Sequence, residues 1–227
     1  MVSIKTSLIV IFLGSTTAVF AQGVFNYNQD FKKVLARTKD SKDSLFYDRQ
    51  IKRFTANDST LSTAEILALM IGFTDKPAYK PFRDLDTERE VYRLNNVSKY
   101  DDALNLETKF LKDHPLSVKA IYEKSYTFFK LGQQDSAGYY LFQQQRIFAA
   151  MYYSGLGSKE EKATFALGPA DSQDYMTKFV GAKIKSMNSD IGSDGNYYDV
   201  IEATLDDGTV VTFYFIIQHT MDKLSDK

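Results

Sequence analysis

The chain has 227 residues, a formal net charge of −1 and a pI near 6.2. Such a balance exerts no overall pull on a phosphate backbone, so no nucleic-acid partner is expected. Cysteine is absent, which excludes disulfides, thiolate metal sites, a cysteine nucleophile and a thioether-linked lipid anchor.

Residues 1–21 read as a signal peptide. Lys5 supplies the positive start, Ser7–Leu13 a short apolar core, and Ala18–Ala21 ("AVFA") the small residues before a cut, expected after Ala21. The apolar run is too short to span a bilayer, so no transmembrane segment is expected once the signal is removed. The expected location is the periplasm or the extracellular medium.

Residues 22–152 read as a helical region. Tyr27, Phe31, Val34 and Leu35 share one stripe over 27–40, and Leu45, Tyr47, Ile51 and Phe54 share another over 43–56. Ser62 and Glu65 are spaced as a capping box ahead of the apolar run Ile66–Phe73. Pro77 and Pro81 then mark a loop over 74–82. A helix is expected at about 99–113, stopped by Pro115. Two further stripes follow, Val118 to Phe129 and Ala137 to Met151, with Gly132 as the terminator between them. Ala103 and Ala137 are spaced by about 34 residues, the period of tetratricopeptide repeats. Glu107 and Lys124 stand where such repeats place apolar residues. A tetratricopeptide pair and a plain antiparallel hairpin array both fit.

Residues 153–162 read as a connector loop, within the stretch "YYSGLGSKEEK" from Tyr152 to Lys162. Residues 163–219 change to period two, with strands expected in "ATFAL", "DYMTKFV", "AKIKSM", "YYDVIEATL" and "TVVTFYFII". Asp207-Gly208 is a hairpin signal. Val210–Ile217, apolar on both faces, is expected in the sheet interior. Residues 220–227 read as a tail. The expected fold class is α+β: N-terminal helical hairpins, tetratricopeptide-like, packed with a small, mostly antiparallel C-terminal β-sheet.

Three segments carry a resemblance: "DSTLSTAEILALMIG" (58–72) with "YKPF" (79–82), "YYSGLGS" (152–158), and "YYDV" with "FYFII" near the end. As an ordered set the chain is similar to exported bacterial proteins grouped as a domain of unknown function, family 4919. Met70-Ile71 and Leu156 depart from that family's pattern. The resemblance implies export and architecture, and no activity.

The connector invites a phosphate-loop reading, but no strand precedes it, and Ser158-Lys159 follow Gly157 in the wrong order. It is expected to join helix to sheet, with Gly155 and Gly157 in left-handed conformations and Ser158 capping a turn that contains Glu160 and Glu161. Its residues Ser154, Gly155, Gly157, Ser158 and Lys159 are the candidate ligand contacts. "DIGSDGNYYDV" lacks a ligand at Gly192 and a closing glutamate at Ile201, so a turn is expected there and no calcium. His114 and His219 have no spaced partners for metal or triad chemistry. No catalytic residue, metal or cofactor is assigned. The leading reading is a non-enzymatic binding or envelope-associated accessory protein, holding a polypeptide on its helices or a small molecule in a helix–sheet crevice. The alternative is a hydrolase, which two buried, converging carboxylates beside an open cleft would favour. A purely structural accessory subunit is the third.

Overall fold

The computed structural model describes residues 25–225. The expected signal peptide and its cut after Ala21 lie outside them. Seven helices come first: α1 Tyr27–Lys39, α2 Tyr47–Thr55, α3 Thr63–Phe73, α4 Pro81–Asn96, α5 Tyr100–Asp113, α6 Val118–Lys130 and α7 Gln134–Ser154. A 3₁₀ turn, Glu160–Lys162, leads to β1 Thr164–Phe165. Then come α8 Pro169–Asp174, a π-helical turn Tyr175–Val180, β2 Lys183–Ile191, β3 Tyr197–Thr204, β4 Val210–Ile216 and α9 Gln218–Ser225. The sheet order is β1-β4-β3-β2. β1 is parallel to β4 and the other pairs are antiparallel. The expected α+β architecture is therefore observed. Among the described residues, no helix is long and apolar enough to cross a membrane.

α3 is the centre of the core. The expected capping box forms, with Ser62 Oγ accepting from the Glu65 N–H and the Glu65 carboxylate accepting from the Ser62 N–H at 2.8 Å. From Ile66 to Phe73 every residue is buried, because α1, α2 and α7 enclose the helix. α4 to α7 stack in sequence, each on the next. Ala103 and Ala137, the small residues of the repeat-like period, are both buried. Glu107 and Lys124 are buried too, and a polar cluster accommodates them. Thr127 Oγ1 lies 2.8 Å from Glu107 Oε1, Asn95 Nδ2 donates to Glu123 Oε2 at 3.0 Å, and Lys124 Nζ donates to Thr108 Oγ1 at 2.9 Å. Burial pushes the Glu107 carboxyl up to about 7.

Three expectations need correction. "DYMTKFV" is helical, not a strand. Pro169 at the first helical position starts α8, Asp171 accepts the Leu167 N–H at 3.1 Å, and Tyr175 and Met176 are buried on the π turn. Tyr175 packs edge-on against Phe148 of α7 and Phe215 of β4, so this segment joins helices to sheet. The loop expected over 74–82 ends early, because Pro81 opens α4 without losing a helical donor. The segment read as a tail lies mostly in α9. The Asp207-Gly208 turn is present, with Gly208 at φ +86°. β4 lies inside the sheet, but only its last two residues, Phe215 and Ile216, are buried, while Val210 is 51 % exposed.

Candidate functional site

The connector serves the backbone. Ser154 is buried; its Oγ donates to the Met151 carbonyl at 2.6 Å and accepts the Phe165 N–H at 2.8 Å, tying the end of α7 to β1. Gly155 is extended, at φ 174°, and not left-handed as expected. Its need for glycine is proximity: a Cβ there would stand 2.3 Å from the Ala163 carbonyl oxygen. Gly157 is left-handed at φ +66°, and a Cβ would stand 2.5 Å from the Phe213 ring. Its N–H donates to Lys162 O at 2.8 Å, and its carbonyl accepts the Tyr214 N–H at 2.9 Å. Ser158 and Lys159 are exposed, and Lys159 faces Glu161 at 3.5 Å. The 3₁₀ turn is preceded by Lys159 without a side-chain cap, so Ser158 does not play the expected capping role. The candidate contacts thus divide into three buried residues and two exposed ones.

The hairpin read as a turn holds Asp194 between Asn28 at 2.9 Å and Tyr198 Oη at 2.9 Å, with Gly195 at φ +81°. Among the described residues, no group of three or more histidine, cysteine or carboxylate side chains is placed to hold a metal.

A cleft at the seam of α4, α6 and α8 collects polar residues from distant parts of the chain: Asp84, Glu88, His114, Ser117 and Asp171. About 40 Å³ of it admits water-sized molecules. Glu88 and Asp171 are each 5 % exposed. Both converge on the start of α6. Ser117 caps that helix by accepting the Ala120 N–H at 3.1 Å, and it donates to Glu88 Oε1 at 2.6 Å. Asp171 accepts the Leu167 N–H at 3.1 Å, and the Val118 N–H at the start of α6 favours its charged form. Burial pushes the Glu88 carboxyl up, with Asp84 and Asp174 adding to the rise and Ser117 opposing it. Burial pushes Asp171 well above the carboxylate range, helped by Glu88 and Asp174. Two nearby buried acids disfavour each other's ionisation, so protonation of one relieves the other.

His114 brings the cleft's imidazole. Burial works against its charged form, but the Asp84 carboxylate at 3.2 Å and carbonyls on both ring nitrogens outweigh that and raise its pKa. Nδ1 faces Phe110 O at 3.1 Å and Nε2 faces Ala78 O at 3.0 Å. Oxygen acceptors at both nitrogens favour a doubly protonated ring, which cannot take a proton from a nucleophile. His219 is different. It is buried, stacks on Phe165 at 4.5 Å, and faces Ala166 O at 2.9 Å through Nε2; burial lowers its pKa to about 3. It is a neutral core residue.

Sequence reading passed over Asp84, Glu88 and Asp171. No local pattern marks them, because residues so far apart in the chain meet only through the packing of α4, α6 and α8. The one available signal was the hydroxyl at Ser117 just before an apolar stripe, a helix-cap signature that locates the donors but not the carboxylates around them.

No curated protein matches this chain, and no solved structure does. A family model described as a domain of unknown function, DUF4919, matches residues 32–226. That span includes every helix and strand from α2 to α9 and the whole carboxylate cleft, and the chain belongs to the DUF4919 family.

Proposed function

We propose that this protein is an exported, non-enzymatic binding or accessory protein. The observation that carries the reading is the engagement of the seam cleft by its own fold. Ser117, the obvious hydroxyl nucleophile, is held between Ala120 N–H and Glu88. His114 has an acceptor at each nitrogen. Asp171 accepts the Leu167 N–H at 3.1 Å. The free space, about 40 Å³, is far below the several hundred Å³ typical of a ligand-sized site. These groups fasten three helices together and leave little for a substrate.

The test is a panel of nitrophenyl esters, phosphates and glycosides offered to the wild-type chain and to Glu88→Gln. No turnover is expected from either. Turnover in the wild type that disappears in a folded Glu88→Gln variant would overturn the binding reading. Export has its own test: protein recovered from the envelope or medium of its host should have the mass of a chain starting at Gln22, and a mass that retains Lys5 would refute the cut.

One observation favours the second reading, a carboxylate hydrolase. Glu88 and Asp171 are buried, line one cleft, and both have raised pKa values, as an acid–base pair requires. In that reading the protonated member donates to a leaving group and its neighbour accepts a proton from water. The same substrate panel decides between the two.

A further inference from the structure

On the other side of the first turn of α4 lies a second recess, of about 300 Å³. Four cations line it, Lys76, Lys80, Arg83 and Lys223, with no carboxylate among its lining residues. Phe82 and Leu224 add apolar wall. In a chain of net charge −1, such a lining is a local reversal of sign.

The cations are unequally satisfied. Lys76 faces Asp48 at 3.3 Å and stands 4.1 Å over the Tyr47 ring. Among the described residues, Lys80, Arg83 and Lys223 form no ion pair. Like charges held around a concave surface repel one another, and a bound anion relieves that repulsion. The α4 N-terminus adds to the field: α4 is 16 residues long, its N-cap residue Lys80 makes no side-chain capping bond, and Pro81 occupies the first turn. The site is also held in place. Tyr79, which forms part of its wall, is buried and its hydroxyl contacts Leu167 O at 2.6 Å and Thr220 Oγ1 at 2.8 Å. That contact ties the loop before α4 to α9, the helix that brings Lys223 and Leu224.

We propose that this recess binds an anionic amphiphile, a carboxylate or phosphate headgroup on a hydrocarbon arm. The headgroup meets Lys80, Arg83 and Lys223, and the arm lies along Phe82 and Leu224. The inference rests on the binding reading above and names its ligand class. Free amphiphile and bilayer lipid offer the same chemistry, so the test separates them.

Calorimetry of the full chain would use octanoate and inorganic phosphate as probes, and co-sedimentation would use phosphatidylglycerol and phosphatidylcholine vesicles. Octanoate is expected to bind at least about tenfold more tightly than phosphate, and more weakly as salt is raised. The Lys80→Glu/Arg83→Glu double variant should lose binding by about tenfold or more at an unchanged melting temperature. Lys223→Gln should weaken it to a smaller degree, and this single change stands as the reporter if the double variant does not fold. Binding to phosphatidylglycerol vesicles without binding to octanoate would assign the ligand to a membrane surface. Phosphate binding as tightly as octanoate overturns the apolar arm. Failure of octanoate, phosphate and both vesicles to bind, or equal binding by the variants, overturns the site. That failure is distinct from failure of the binding reading, which shows as turnover dependent on Glu88.

Discussion

The two sides of the first turn of α4 treat charge in opposite ways. Toward α6 and α8, Asp84, Glu88, Asp171 and His114 are largely enclosed, and each has a named partner in the protein. Toward α9, Lys80 and Arg83 are exposed and have no ion-pair partner among the described residues. Tyr79 and Pro81 belong to both walls. Burying a polar group without a partner costs a few kcal/mol, whereas water solvates an exposed cation at almost no cost. The enclosed side therefore reports on how the fold holds together, and the open side is where a ligand can still make a difference. The connector repeats the contrast on a smaller scale, with Ser154 and Gly157 engaged inside and Ser158 and Lys159 outside.

The largest effect is expected where geometry leaves no room. Gly157→Val combines a left-handed backbone with a collision against Phe213. It should destabilise the chain by about 3 kcal/mol or more, against less than about 0.5 kcal/mol for Lys159→Ala. Denaturant melts of the two variants compare them directly, and similar midpoints would erase the distinction between engaged and free residues. Next comes Asp171→Ala, which leaves the Leu167 N–H without its acceptor. A loss of about 1–3 kcal/mol is expected, with Asp171→Asn losing less because its amide oxygen still accepts. An alanine variant as stable as wild type would mean that the cleft does not fasten α6 to α8.

Much of the frame was legible beforehand, for reasons that are local. The Ser62–Glu65 box, Gly132 after α6 and the Asp207-Gly208 turn each act within a few residues, so spacing alone exposes them. α4 was missed because Pro77 and Pro81 were given the same meaning, although a proline at the first helical position starts a helix. "DYMTKFV" reads as a strand because seven residues cannot distinguish alternation from a widened helical turn. The two recesses were out of reach for a different reason. They depend on which faces of α4, α6, α8 and α9 come together, and no stretch of sequence contains that information.

A smaller effect sharpens the acidic side through pH. Burial raises the pKa of Glu88 above its ordinary 4.5 in the folded chain. A carboxyl with a raised folded pKa contributes stability that is fully present below its unfolded pKa and is lost as pH rises through the folded value. Relative to wild type, Glu88→Gln should therefore gain stability as pH rises above about 4.5, since an amide does not ionise. A pH series of unfolding midpoints checks it. A constant offset between the two chains would show that Glu88 titrates normally. The smallest effect belongs to the open side. Lys80→Ala and Arg83→Ala should change stability by less than about 0.5 kcal/mol, with any gain larger at low salt where the cations repel most. A loss of several kcal/mol from either would show that these side chains support the fold instead of facing solvent.

The parallel pairing of β1 with β4 has a consequence for how the chain acquires its structure. Thr164 pairs with Phe215 and Phe165 with Ile216, so β1 has no strand to join until the whole β2–β3–β4 meander exists. The helical hairpins are contacts between near neighbours in sequence and can close early, whereas this contact closes a long loop and is intrinsically slow. A nascent chain that ends before β4 would then carry a formed helical stack whose connector and β1 have nothing to hold them. The last strand, which lines neither recess, acts as the latch that completes the C-terminal half.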